Sequence, residues 1–178
     1  MIIWVVGQSA AGKTTIGRSL LELWKKRDPN TVFVDGDEIR KIFKLNEYDD
    51  PYSVENRKNI AETYHRICAW LDSQKINVIC CTISNFQEVL DANKSTFSNY
   101  FEVFVQVPFR LLQKRDKNNL YKSALKGDIT NVVGVDIPFV PPANPDLVID
   151  NSPDITEFGS MVTDILEKAD AKSSSHIK

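Results

Sequence analysis

Residues Gly7 to Thr14 read Gly-Gln-Ser-Ala-Ala-Gly-Lys-Thr, a G-x-x-x-x-G-K-[ST] pattern. The run Ile2-Ile3-Trp4-Val5-Val6 before it is apolar and β-branched, as a buried strand requires. Ile16, Leu20 and Leu23 follow at helical spacing, so the pattern joins a strand to a helix. Gly7 and Gly12 permit torsions and close approaches that a Cβ blocks. Successive N–H groups can then point at phosphate oxygens, at the positive end of the helix dipole. Gly7, Ser9, Ala10, Ala11, Gly12, Lys13, Thr14 and Thr15 are the expected phosphate-binding set. Lys13 reaches the β- and γ-phosphates, and the Thr14 hydroxyl is offered to Mg²⁺. A site for ATP or another nucleoside triphosphate is the fixed point of the reading.

The chain has 178 residues, 42% of them hydrophobic, which suits one domain with a core between a sheet and helices. Its net charge of −2 gives no basic field for nucleic acid. Apolar runs are too short to span a membrane, and the N-terminus enters a strand at once, leaving no room for a signal peptide. Cys80 and Cys81 are strand neighbours pointing to opposite faces, and with Cys68 they read as buried, reduced thiols of a cytoplasmic protein.

Strand-like and helix-like segments alternate. Strands are expected at Ile2–Val6, Thr31–Val34, Val78–Ile83, Glu102–Val107 and Leu147–Ile149. Helices are expected after the loop, through Phe43, from near Ser53, over Phe86–Phe97, and along a closing stripe of Ile155, Phe158, Val162, Ile165 and Ala169. This alternation predicts a three-layer α/β sandwich, its mostly parallel five-stranded sheet covered by helices on both faces. Residues 1–170 form the expected single domain, 109–142 a lid and 171–178 a flexible tail. Ligands bind beyond the carboxyl ends of such strands, where the loop at Gly7, Asp35-Gly36-Asp37 and Thr82-Ile83-Ser84 all fall.

Phosphoryl transfer needs a metal on the phosphates and a carboxylate on the incoming hydroxyl. Asp35 and Asp37 can supply the carboxylate and support the metal's waters, with Asp35 and Thr14 the expected metal side. Arg40, one helical turn past Asp37, either faces the same cleft or is solvated. Between Arg110 and Gly127 the basic residues Arg110, Lys114, Arg115, Lys117, Lys122 and Lys126 face one acid, Asp116. That excess follows the fourth strand and suits a lid that brings cations to the transferring group. From Lys117 to Asp136 the polar composition and few large apolar side chains leave little to bury when the site is empty. No histidine near Ser84 would activate it, so it is expected to hydrogen-bond phosphate or ribose.

In order, the chain carries Gly7–Thr15, Asp35-Gly36-Asp37-Glu38-Ile39-Arg40, Glu55-Asn56, Ile83-Ser84, Arg115-Asp116, Leu120-Tyr121-Lys122, Gly134-Val135-Asp136-Ile137-Pro138-Phe139 and Pro142-Ala143-Asn144-Pro145-Asp146-Leu147. With these motifs it resembles the adenylylsulfate (APS) kinases, P-loop kinases that transfer the γ-phosphoryl group of MgATP to the 3′-hydroxyl of adenylylsulfate. The resemblance implies a role for Lys13 and Thr14 on phosphate and Mg²⁺, Asp37 as base or hydroxyl-orienting group, and Asp35 behind the metal. It implies Arg40, Asn56 and the aromatic Tyr48 on the acceptor nucleotide, Arg115 near the ATP base and Lys122 in the lid. Ser84 matches the serine often labelled a phosphoserine intermediate, though direct transfer fits better. Members are often dimeric, so a homodimer is expected.

The departures gather on the acceptor side. Ser53 stands where the family has a second substrate-binding arginine, and Arg57-Lys58-Asn59 replaces Ile-Arg-Arg. Val132 replaces the lid phenylalanine that sandwiches adenine, Asn85 replaces a proline, and the loop before Tyr48 is a residue shorter. On the ATP side only Ala10, for a glycine, departs. The resemblance thus implies an ATP-dependent nucleotide 3′-kinase with adenylylsulfate, in sulfate assimilation, as default acceptor. The alternative is another nucleotide, such as the cytidine diphosphoramidate of capsule modification, a small-molecule acceptor in either case. An inactive ATP-binding module is disfavoured because Lys13, Thr14, Asp35 and Asp37 are all present.

Overall fold

Alternation of inward side chains along the first strand decides the layering. In the computed structural model, which describes residues 1–47, 49–152 and 158–175, β1 (Ile2–Val6) is buried along its whole length. Ile3 and Val5 face one core and Ile2, Trp4 and Val6 the other, as a period of two requires. The first core takes Ile16, Leu20 and Trp24 of α1 (Lys13–Arg27) and Val162, Ile165 and Leu166 of α7 (Gly159–Ser175). The second takes Ile60, Tyr64 and Cys68 of α3 (Val54–Ser73) and Leu90 of α4 (Gln87–Thr96). Cys80 and Cys81 part the same way, one to each core.

The sheet runs β2-β3-β1-β4-β5, with β2 at Thr31–Asp35, β3 at Asn77–Thr82, β4 at Tyr100–Gln106 and β5 at Leu147–Asp150. Every pairing is parallel, so the sheet is parallel throughout the described residues. Val6 lies opposite Thr82, and Asp35 opposite Cys81. The ends of β1, β2 and β3 therefore line one edge, and their loops meet there.

Local chemistry sets the helix starts. Ser53 caps α3 by accepting from Asn56 N at 3.3 Å, and Asp35 caps α2 (Gly36–Ile42). Lys25, Lys26 and Arg27 close α1 at the end its dipole makes negative. The excursion after β4 folds into α5 (Phe109–Arg115) and α6 (Leu120–Lys126) before returning to β5. Leu112, Tyr121, Val132 and Val133 are buried there, at 5% exposure or less. This corrects the expectation of a lid with little to bury: Leu112, Tyr121 and Val132 fold back onto the first core, while Leu125 and Ile129 stay exposed.

Helix α7 continues to Ser175, into the segment expected as a flexible tail. Lys172 pairs with Asp146 at 2.7 Å, and Ser173 donates to Asn99 at 3.0 Å. Ile155, assigned by its spacing to this helix, lies outside the described residues.

Candidate active site

The P-loop is a cradle with no room for side chains at its glycines. A Cβ on Gly7 would stand 2.8 Å from the Val105 carbonyl oxygen. At Gly12 the backbone is left-handed, φ 96°, and a Cβ would meet Asn151 Nδ2 at 2.6 Å. Ala10 also adopts the left-handed region, φ 60°; for a residue with a Cβ this costs roughly 1–2 kcal/mol. No side chain caps the first turn of α1, which leaves its N–H groups to an anionic ligand. The loop is braced from outside. Tyr121 Oη donates to the Ser9 carbonyl at 3.0 Å, and Asn151 Nδ2 to the Ala11 carbonyl at 2.8 Å. Arg115 donates to the carbonyls of Asn151, at 2.7 Å, and Ser152, at 3.3 Å. Tyr121 and Asn151 thus brace the loop; the motif Leu120-Tyr121-Lys122 contains Tyr121 without giving it a role, and no motif marks Asn151. For Asn151 the available signal was its place at the carboxyl end of β5.

Lys13 Nζ rests against the Gln8 carbonyl at 2.7 Å. Burial lowers the pKa of its ammonium, opposed by Cys81 and by the carboxylates of Asp37 and Asp35. Thr14 Oγ1 donates to Asp35 Oδ2 at 2.8 Å, while Asp35 Oδ1 accepts from Asp37 N at 2.9 Å and Glu38 N at 3.4 Å. The hydroxyl and carboxylate are hard oxygen donors beside a phosphate cradle, and that donor set fits Mg²⁺ with its waters. Asp35 is buried, whereas Asp37 is exposed at the start of α2, free to meet a ligand hydroxyl. Thr15 is exposed on the first turn of α1.

The residues expected on the acceptor side gather where α2, the start of α3 and the segment returning from α6 meet. Arg40 and Arg57 lie 5.2 and 5.3 Å from the centroid of the Tyr52 ring. Arg57 donates to the Tyr52 carbonyl from Nε at 2.8 Å and to the Asn131 carbonyl from Nη2 at 2.6 Å. Asn56 Nδ2 holds the carbonyls of Asp49 and Asp50 at 2.9 and 3.0 Å, leaving its own oxygen free of that turn. Asp136 knots the lid by accepting from Val132 N at 2.6 Å and Asn131 N at 2.5 Å, and these N–H groups, Val132's foremost, hold its carboxyl below the usual range. Lys122 is exposed on α6, and Tyr48 lies outside the described residues.

Ser84 is 4% exposed, with its hydroxyl oxygen accepting from Trp4 Nε1 at 2.9 Å. Its own proton remains to donate. Asn85, in place of a proline, exchanges two hydrogen bonds with the returning lid: Nδ2 to the Pro138 carbonyl at 2.9 Å, and Val140 N to Oδ1 at 2.7 Å. A proline side chain makes neither bond.

Residues 1–150 match the family model described as adenylylsulphate kinase. The chain is 41% identical over 151 residues to the cytidine diphosphoramidate kinase of Campylobacter jejuni, covering 85% of this chain and 86% of that one. It is 30% identical over 168 residues to the adenylyl-sulfate kinase of Gloeothece citriformis, covering 94% and 93%. In fold it matches the Mycobacterium tuberculosis APS kinase in complex with AMPPNP and APS, with a TM-score of 0.79 at 23% identity over 95% of this chain and 96% of that one. Among the described residues no helix is long and apolar enough to cross a membrane. The chain belongs to the adenylylsulphate kinase family and is a phosphotransferase.

Proposed function

We propose that the chain transfers the γ-phosphoryl group of ATP to the ribose 3′-hydroxyl of a nucleotide, and that cytidine diphosphoramidate is a better acceptor than adenylylsulfate. The observation that carries the choice is Val132. It stands where the family places an adenine-stacking ring, and it is buried in the first core at 4% exposure. Base–aromatic stacking is worth about 1–3 kcal/mol. A purine, with its larger face, loses more by that replacement than a pyrimidine. The identity to the Campylobacter kinase supports the same choice.

In this reading the N–H groups from Ser9 to Thr15 hold the triphosphate, and Lys13 neutralises charge building on the γ-phosphoryl oxygens. Thr14, with Asp35 hydrogen-bonded behind it, would hold Mg²⁺ and its waters, and the ion would supply positive charge to offset that of the phosphates. Asp37 accepts the acceptor hydroxyl's proton, or orients that proton as the oxygen attacks in line. Arg40 and Asn56 hold the acceptor, Arg115 flanks the ATP base, and Lys122 closes with the lid. Ser84 donates its free proton to acceptor or phosphate rather than carrying a phosphoryl group, since Trp4 already holds its oxygen. ATP consumption across adenylylsulfate, other adenylates and cytidine diphosphoramidate tests this. Turnover with the cytidine compound and weak turnover with adenylylsulfate are expected. Micromolar KM for adenylylsulfate with no cytidine activity would reverse the assignment.

A further inference from the structure

By the family resemblance, Ser53 stands in the place of a substrate-binding arginine. Arg57 follows it on α3, and Arg57 N donates to the Ser53 carbonyl at 2.9 Å. They are therefore one helical turn apart on the same face. The guanidinium of Arg57 leans toward the lid, with Nε on the Tyr52 carbonyl and Nη2 on the Asn131 carbonyl. That second partner directly precedes Val132, so the head group sits at the junction of α3 and the lid. Arg40 from α2 shares the Tyr52 ring with it.

Two guanidinium groups meet here; their hydrogen-bond and ring partners are neutral, carbonyls and tyrosines, and the Asp136 carboxylate acts on Arg57 from a distance without an ion pair. Among the described residues no ion pair joins a carboxylate to Arg40 or Arg57. Burial lowers the pKa of Arg57, and the charge of Arg40 lowers it further. Guanidinium carries five N–H donors, and the two carbonyls take two of them from Arg57. Among the described residues the remaining edge makes no hydrogen bond, and its fork geometry matches a phosphate or phosphoramidate oxygen pair.

We propose that Arg57, with Arg40, forms the clamp that binds the acceptor's diphosphate-type group, and that Arg57 restores from one turn further along α3 the cation missing at Ser53. Arg57 is thus a specificity-determining residue of this chain. Its tie to Asn131 couples anion binding to the lid's position. The clamp rests on the reading of the chain as a nucleotide kinase, and the test separates the two.

Binding of cytidine 5′-diphosphate and cytidine 5′-monophosphate is measured by calorimetry, with a non-hydrolysable ATP analogue filling the P-loop. Steady-state kinetics with each acceptor run in parallel. The parent is expected to bind the diphosphate on the order of tenfold more tightly than the monophosphate. Arg57→Ile, which removes the guanidinium and keeps an apolar stem, is expected to abolish that preference and raise acceptor KM about tenfold, leaving ATP-analogue affinity unchanged. Ser53→Arg added to Arg57→Ile is expected to recover most of the loss. Unchanged diphosphate preference and acceptor KM in Arg57→Ile would overturn the clamp while leaving the kinase reading in place. A parent that shows the diphosphate preference but phosphorylates no nucleotide would sink the kinase reading and leave the clamp standing.

Discussion

The Thr14 hydroxyl donates to the Asp35 carboxylate at 2.8 Å, joining the P-loop to the end of β2. The other oxygen of Asp35 caps α2, on which Asp37 and Arg40 sit. One side chain therefore positions Thr14, the proposed metal ligand, together with the proposed base Asp37 and the proposed acceptor-binding Arg40. Asp35→Ala should lower stability by about 0.5–2 kcal/mol through the lost cap, and should also raise the Mg²⁺ concentration needed for half-maximal activity. Thermal unfolding and a Mg²⁺ titration check both. A variant with lower Tm but an unshifted Mg²⁺ requirement would reduce Asp35 to a cap.

Lys13→Ala and Asp37→Asn should separate along different parameters. Lys13→Ala should cut kcat by a factor of about 10² or more while the fold survives, because its ammonium serves the transferring group. Asp37→Asn should bind ATP as the parent does and turn over poorly. Collapse of ATP affinity with a normal residual rate in Asp37→Asn would make it a structural or metal residue.

Tyr121 is fully buried and donates to the Ser9 carbonyl at 3.0 Å. Tyr121→Phe keeps the ring against Phe109, whose centroid is 5.1 Å away, and removes only the bond. A typical hydrogen bond is worth about 0.5–1.5 kcal/mol, so ATP Kd should rise by roughly two- to twelvefold with little change in Tm. An unchanged Kd would show that the loop keeps its shape without the brace.

Glu102 is 0% exposed; Oε2 accepts from Tyr100 Oη at 2.7 Å, and among the described residues Oε1 has no hydrogen-bond partner. Burial raises its carboxyl pKa, with Tyr100 and Lys94 opposing and Asp146 and Asp91 adding to the rise. The folded chain therefore keeps a proton that the unfolded chain has released. Stability should be fully present below the ordinary carboxylate range and fall as pH climbs from there through the raised folded value. Glu102→Gln cannot ionise and should lose that slope. Urea midpoints from about pH 5 to 8 for parent and variant test it, and parallel profiles would count against an elevated carboxyl.

Much of the fold was legible because its signals are local. Five consecutive apolar residues mark β1, and adjacent Cys80 and Cys81 on a strand must serve opposite cores. The P-loop glycines were legible for the same reason. Val132 was not, since Asn131 and Gly134 make its neighbourhood read as polar, and its burial depends on how α5 and α6 fold back. Arg57 and Asn131 lie 74 positions apart, and only the fold brings them together. Asn151 has no motif around it, and its contact with Ala11 spans 140 positions. Lys172 was assigned to a tail because its partner, Asp146, is remote in sequence.

A single competition reaction tests the central claim most directly. The enzyme receives equal concentrations of cytidine diphosphoramidate and adenylylsulfate with limiting ATP, and the two phosphorylated products are separated and quantified. Their ratio is the ratio of kcat/KM values. The account predicts the phosphorylated cytidine nucleotide in at least roughly tenfold excess, from stacking and anion contacts each worth over ~1 kcal/mol. Predominance of 3′-phosphoadenylylsulfate, or loss of ATP with neither product formed, would contradict it.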